Sequence, residues 1–406
     1  MPTYVERATA DYLTGQQIVD QLGEWLGGMY QDAETQLLAE IARRTARDMT
    51  TDALTDRAAT IIALREAAER IMAGLNSEEL ARRVVDTAIR EGETAAIEQL
   101  GLARAAAGST RPVMWQGGQI PFSTGITQSS ALSAATLGLE LTNALTDVNA
   151  RILRAVPDIY QQAIARFVGP RLLGTETGRQ LRTRALADWL AKGIPAFVDR
   201  AGRRWSPGAY VNMATRTATN RAWLDAHMNR WSGMGLELVT IIRGADSCQA
   251  CAAWSGLILS TGGQTGTITA QHAISGEPIT IEVRGTLASA RAGGWNHPNC
   301  RCTLAPVFPG LSLPADESTY DPQAETDRER LRYLERRTRG FKQRAEIASG
   351  AGDDVAAAAF RRRAREEQAR IREHIARTGQ VRKPYREALG YSGNVPPRPS
   401  PAAIGR

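Results

Sequence analysis

The 406-residue chain is 43% apolar, enough for more than one core, and its length predicts two or three domains. Few aromatics and abundant Ala and Arg favour helices over a β-sandwich, and no run of about 18 uncharged apolar residues exists to span a membrane. A net charge of +7 permits contact with nucleic acid without requiring it.

Residues from about 12 to 108 read as nearly continuous helix. Leu22, Trp25 and Leu26, then Leu37, Leu38 and Ile41, then Ile61, Ile62 and Leu64 recur at helical spacing with charges between them. A break follows at Gly108 to Thr127, with Pro112, Gly117, Gly118 and Pro121. Helical patterning resumes near Ser130 through Leu137, Leu141, Leu145, Val148, Ile152 and Leu153, and Pro157 and Pro170 are expected to punctuate it. Long Ala-rich helices of this kind scaffold or bind partners more often than they build catalytic pockets.

From about Leu190 the pattern changes. Asp199 to Gly202 predicts a tight turn between two short extended pieces. Ser206-Pro207 then supplies an N-cap and a first-turn proline for a helix through Trp231, with Tyr210, Met213, Ala214, Thr217 and Arg221 on one side. Gly233-Met-Gly235 stops it. Leu236 to Ile242, Trp254 to Ser260, Ile279 to Val283 (in an inserted hairpin) and Thr303 to Phe308 read as strands. After the proline-rich joint Pro306 to Pro314, residues 321–390 hold 18 Lys and Arg against 12 Asp and Glu, most of the chain's net charge. Leu331, Leu334, Phe341, Ala345 and Ile347 predict one amphipathic helix, and Ala364, Ala369, Ile371 and Ile375 another, separated at Gly350 to Asp354. Arg361, Arg362, Arg363 and Arg365 either lie along phosphates or form a solvated helix face with intrahelical ion pairs such as those of Glu329 and Glu335. The Pro-rich tail from Gly390 is expected to be extended or disordered.

These zones predict an α+β chain, mainly α, in three parts. Residues 1–185 form a helical assembly and partner-binding region, and 186–310 a small zinc-stabilised α+β domain. Residues 311–406 form a linker, a basic helical hairpin and a tail.

All four cysteines fall in one window, as Cys248-x-x-Cys251 and His297-Pro-Asn-Cys300-Arg-Cys302. Thiolate and imidazole are the donors that tetrahedral zinc selects, and a C-x-x-C turn brings two sulfurs to one metal. Five donors compete for about four positions. Cys248, Cys251, His297 and Cys300 are the preferred set, with Cys302 the substitute. Two disulfides, or four reduced structural thiols, are the alternatives. The start of the chain lacks an apolar signal core, so reduced thiols are expected, which favours a metal. A small sheet with a thin core gains most from such a cross-link.

Catalysis finds little support. Zinc deaminases pair H-x-E with P-C-x-x-C, whereas no Glu follows His297 at that spacing and Ser247 precedes Cys248. Asp246, Glu277 and Glu282 are the nearby acids, and spacing forces none of them to the metal. His227, His272 and His374 lack a nucleophile context, and Gly262 to Gly266 lacks the lysine and helix of a phosphate loop. A Cys-rich donor set without a vacancy marks a structural site.

The motifs Asp199-Arg-Ala-Gly-Arg-Arg-Trp205, Tyr210-Val-Asn-Met-Ala-Thr-Arg216-Thr217-Ala218-Thr-Asn-Arg-Ala222 and Gly235-Leu-Glu-Leu-Val239 occur in this order. Asp246-x-Cys248-x-x-Cys251-x-x-Trp254-x-Gly256 and the His297 knuckle continue it. The set, over about residues 185–308, resembles the Mu F-like head morphogenesis proteins and the related phage minor capsid protein 2 family of bacteriophages. Ala218 departs from the Mu F-like pattern, which often has Glu there, and the insert from Gly262 to Gly294 lengthens the metal loop. The resemblance implies a virion protein of few copies, at the capsid interior or portal vertex and in host cytoplasm during assembly. Its implied partners are the portal protein, the major capsid or scaffold protein and packaged double-stranded DNA, with no membrane. The Cys/His site would then hold the fold together and catalyse nothing. A scaffold or maturation factor, and a toxin-like metal-dependent effector enzyme, are the other classes the resemblance leaves open.

Overall fold

The computed structural model describes residues 4–48, 56–106, 125–172, 193–194, 197–198, 204–243, 248–311 and 321–389. The expected turn at Asp199 to Gly202, the carboxylate of Asp246, most of the break after Gly108 and the tail from Gly390 lie outside these residues.

Four helices build the N-terminal part: α1 (Tyr4–Asp48), α2 (Asp56–Met72), α3 (Ser77–Ala106) and α4 (Gln128–Leu172). On α1, Leu22, Trp25, Leu26, Tyr30, Ala33, Leu37 and Ile41 are buried at spacings of three and four, so one stripe faces the core while charges face out. Ile62 points to solvent and Leu64 alone of its predicted trio is fully buried, because three near-consecutive residues cannot share one helical face. Helix α4 passes through both Pro157 and Pro170 rather than ending there. An interior proline costs about 3 kcal/mol, and burial of Val156, Tyr160, Ala163 and Ile164 around and beyond the first one offsets it.

Strands β1 (Phe197–Val198) and β2 (Arg204–Trp205) pair antiparallel and lead into α5 (Pro207–Ser232), whose N-cap Ser206 accepts a hydrogen bond from the Ala209 amide. Helix α5 is the central element of the molecule. Its Val211, Ala218, Ala222, Trp223 and Ala226 belong to the core formed by α1, α3 and α4, whereas Leu224 and Trp231 belong to the core of the sheet that follows. The two parts therefore share one helix. Small residues let it approach its neighbours: a Cβ on Gly27 of α1 would stand 2.8 Å from the Gly208 carbonyl oxygen, and one on Gly208 equally close to the Gly27 carbonyl. Only two glycines allow backbones to cross at that distance.

The sheet contains β3 (Leu238–Ile242), β4 (Ile258–Ser260), β7 (Gly285–Thr286) and β8 (Thr303–Pro306) in the order β7-β4-β3-β8. Strand β4 is shorter than expected because Trp254 to Leu257 are spent on the turn that follows the first Cys pair. Between β4 and β7, β5 (Gly266–Gln271) and β6 (Pro278–Val283) form the predicted hairpin. Ile281 and Val283 cover Leu238 and Val307 on one side of the sheet. Short helices α6 (Gln249–Ala252) and α7 (Leu287–Ala292) carry the chain into the two Cys/His loops.

The basic hairpin is α8 (Pro322–Gly350) and α9 (Asp354–Thr378), followed by a 3-10 turn at Pro384–Glu387. The predicted apolar face of α8 is buried throughout. On α9 the buried face runs Ala357, Ala364, Glu367, Ile371 and His374, and Ala369 is exposed. A period of 3.6 carries Ala364 to Glu367 and Ile371 and leaves Ala369 on the opposite side. Glu367 keeps its buried place through Arg337 at 2.9 Å and Arg370 at 3.0 Å. The hairpin is no free arm. Ile347 lies in the helical core, and Gln31 of α1 donates to the Ala388 carbonyl at 3.1 Å.

Candidate metal centre

Cys248 precedes α6 in extended backbone, and the Ala252 amide bonds back to its carbonyl at 3.0 Å. This turn aims Cys248 and Cys251 at one point. The second loop leaves α7 through Gly293 and Gly294. Asn296 and Asn299 flank its His-Pro step with φ of 59° and 64°, the left-handed conformation that Asn tolerates best among non-glycine residues. The Cys300 amide closes the knuckle on the His297 carbonyl at 2.9 Å.

All five residues singled out by spacing meet here. Cys248 Sγ is 3.1 Å from His297 Nε2, and Cys251 Sγ is 3.6 Å from Cys300 Sγ. The donor atoms form two triads, Cys248–Cys251–His297 and Cys251–Cys300–Cys302, each within 4.8 Å, and Cys251 belongs to both. Bonds of about 2.3 Å in a tetrahedron place sulfurs roughly 3.5–4 Å apart; the Cys251–Cys300 pair meets that spacing, and either triad could hold a metal ion. His297 Nδ1 lies 2.8 Å from the Pro298 carbonyl. That bond fixes the proton on Nδ1 and leaves the Nε2 lone pair facing the thiols, the usual arrangement of a ligating imidazole. No disulfide joins the four cysteines.

Electrostatics favour thiolate at Cys248 and Cys300. Burial raises the Cys248 thiol, but the Cys251 amide and the His297 ring outweigh it and bring the net shift down. Cys300 is held well below the ordinary thiol range by hydrogen bonds from Cys251 and Cys302, and those two are pushed up in exchange. Burial opposes charge on His297, yet the Pro298 carbonyl and the sulfurs of Cys300 and Cys248 raise it. A bound cation would replace these shared protons on the sulfurs.

The surroundings of the knuckle were not visible in the spacing. Thr217 of α5 accepts from the Asn299 amide at 3.2 Å, and Asn220 reaches Asn296 at 3.5 Å. Gln16 of α1 donates to the Arg301 carbonyl between the last two cysteines. Asp20, one turn further on α1, takes Arg216 at 2.6 Å, Arg301 at 3.5 Å and Lys383 at 3.6 Å. Arg216, Thr217 and Asn220 stand in the α5 motif, a signal that could have marked them. Gln16 and Asp20 lie more than two hundred residues away with no motif at all.

The other acids and histidines stand elsewhere. Glu282 pairs with Arg284 at 2.8 Å on the exposed hairpin, and Glu277 caps the same hairpin's turn through its carbonyl, which accepts from the His272 amide. His374 bonds the Asp327 carbonyl at 2.8 Å. His227 is buried between Trp223 and Trp231, ring centroids 5.1 and 5.0 Å away.

The family model described as phage minor capsid protein 2 matches residues 15–376. A curated relative, a "Structural protein" of Lactococcus phage LL-H, is 25% identical over 225 residues, which cover 53% of this chain and 57% of the relative. The chain thus spans little more than half the length of that relative. No solved structure matches the chain. No helix among the described residues is long and apolar enough to cross a membrane. The match extends from the middle of α1 to the end of α9 and encloses both Cys/His loops, and the chain therefore belongs to the phage minor capsid protein 2 family, whose members are structural proteins of the virion.

Proposed function

We propose that this capsid protein works without catalysis at the portal vertex, where one zinc ion fastens its sheet domain and its basic hairpin faces packaged double-stranded DNA. The observation that carries the reading is the convergence of five soft donors from two distant loops, with Cys251 common to both triads. Cys248, Cys251, His297 and Cys300 would hold the ion, with Cys302 as substitute or supporting thiol. Bound there, zinc supplies a cross-link between the loop after β3 and the loop before β8. The chain's own residues then extend that cross-link outward, through Thr217 to α5 and through Gln16 and Asp20 to α1. A sulfur-rich site braced by α5 and α1 suits a fastener, and the acids of the insert pair elsewhere. Long helices supply surfaces for other virion components, and membership of the family supports the portal and DNA as partners.

Metal analysis by mass spectrometry with thiol counting tests the centre. About one zinc per chain is expected, and Cys251→Ser should lose the metal and destabilise residues 236–308 first. Metal-free protein with full stability would overturn it. Portal co-purification from infected cells, and defective or poorly filled heads on deletion, test the assembly role. Normal infectious particles without the protein would refute that role.

A further inference from the structure

A cavity of about 600 Å³ opens between α1, the first turns of α5 and the inner face of α8, and the five Cys/His donors line one part of it. Its size is within the range of small-molecule sites, about 300–1,000 Å³. Seven arginines line it against four glutamates. Arg328, Arg332, Arg336 and Arg339 project from α8 at steps of four, four and three, which keeps them on one face. Arg216 meets them from α5 and Arg386 from the 3-10 turn.

Acids pair with part of this wall: Glu325 meets Arg328 at 3.6 Å, and Asp20, outside the lining, takes Arg216 and Arg301. Glu335 is divided between Arg332 at 3.0 Å and Arg386 at 3.8 Å. Arg216 is 11% exposed and uses Nη2 on Asp20, while its buried Nε–H has no partner among the described residues. An orphaned guanidinium N–H in a site of excess positive charge calls for an anion. Burial pushes Arg216, Arg336 and Arg339 below the ordinary arginine value, against the carboxylates of Asp20, Glu335 and Glu34 respectively, with neighbouring arginines adding to the fall. The first turn of α5 adds a second source of positive potential: Gly208 and Ala209 line the same wall, at the positive end of a 26-residue helix. Trp205, Met213 and Leu389 give the cavity an apolar side next to the charged one.

We propose that this cavity binds a nucleotide through its phosphates, with the base against Trp205 and Leu389. The nucleotide is either free or the phosphorylated end of a nucleic-acid strand, since both present the same group. Phosphate suits the site better than a single carboxylate. It offers several acceptor oxygens to guanidinium forks arriving from three elements, and an aromatic face takes any base. The site is separate from Arg361, Arg362, Arg363 and Arg365, which are exposed on α9.

Isothermal titration of the full chain with magnesium-free ATP, pyrophosphate, and a short oligonucleotide with or without a 5′-phosphate tests this. One ATP per chain is expected, weakened about tenfold or more in Arg328→Gln/Arg336→Gln and unchanged in Arg361→Gln/Arg365→Gln. Preference for the 5′-phosphorylated oligonucleotide over ATP assigns the strand end as ligand; the reverse assigns the free nucleotide. In the wild-type protein, ATP should also shield Arg332 and Arg336 from phenylglyoxal, a reading that survives misfolding of any variant. Absence of binding by ATP, pyrophosphate and the phosphorylated strand alike would overturn the proposal. Binding lost only in the α9 variant, or poly-glutamate bound where phosphates are not, would overturn it as well.

Discussion

Asp20 is the residue through which the metal loop, α5 and the C-terminal segment all reach α1. Replacing it by Ala leaves Arg216, Arg301 and Lys383 without the carboxylate they share at 2.6, 3.5 and 3.6 Å respectively. Breaking one member of a fully buried pair costs about 3–5 kcal/mol. Asp20 is 15% exposed and Arg216 11%, while Arg301 and Lys383 are wetter, so screening moves the expected loss to about 2–3 kcal/mol. Asp20→Asn keeps one acceptor of the same size and should lose about half as much. Because Arg301 lies between Cys300 and Cys302, the same change loosens the knuckle. Removing such support typically lowers metal affinity about 10–100-fold. Urea unfolding followed by tryptophan fluorescence gives the first quantity, and zinc competition against a chromogenic chelator the second. If both variants stay within about 0.5 kcal/mol of the wild type and retain its zinc affinity, the bracing role assigned to Asp20 is wrong.

Gly27→Val drives a side chain into the Gly208 carbonyl, 2.8 Å from its first carbon. Overpacking of about 1–3 kcal/mol or more is expected in urea melts, and Gly74→Ala, with open space around its Cβ, is the silent control. His227 has its pKa lowered to about 4, chiefly by burial, against a Trp223 carbonyl bond and the charge of Glu93 that raise it. The unfolded chain therefore takes up its proton first as pH falls. The stability from the neutral ring is complete above about pH 6.5 and is lost between there and pH 4, by about 3 kcal/mol; an equal pH slope in His227→Gln would refute this. Replacing Arg361, Arg362, Arg363 and Arg365 by Gln should flatten the dependence of log DNA affinity on log salt by roughly one unit for each phosphate no longer neutralised. An unchanged slope in fluorescence anisotropy would make those arginines a solvated face only.

The helices were legible because their apolar residues recur every three or four positions with charges between them, and local chemistry alone sets such elements. Ser206-Pro207 marks the start of α5 on the same terms, by a hydroxyl that satisfies an amide and a ring that needs none. The Cys/His donors were legible for a different reason. Thiol and imidazole side chains are rare, and a metal needs them in pairs a turn apart, so spacing within each pair points to a metal without the fold. Periodicity failed where it had too little to work on. Ile62 beside Ile61 could not reveal its outward face, and Glu367, a charge, holds the buried position that the apolar pattern assigns to Ala369. The continuity of α4 through Pro157 depended on packing beyond the proline, which no local rule contains.

What the sequence could not state is which distant residues meet. Asp20 gathers cations from α5, from the metal loop and from beyond α9, and the α8 arginines face a cavity with Trp205 and Arg216 across it. Ion pairs and cavities of this kind carry no period and no motif. They exist only because α5 crosses α1 at two glycines and α8 packs back on the same helix. The sequence by itself determined the helices, the family and the Cys/His pairs that meet in the fold. Tertiary packing alone decided what braces those donors, because a contact between residues hundreds of positions apart is set by the path of the chain and by no property of either residue.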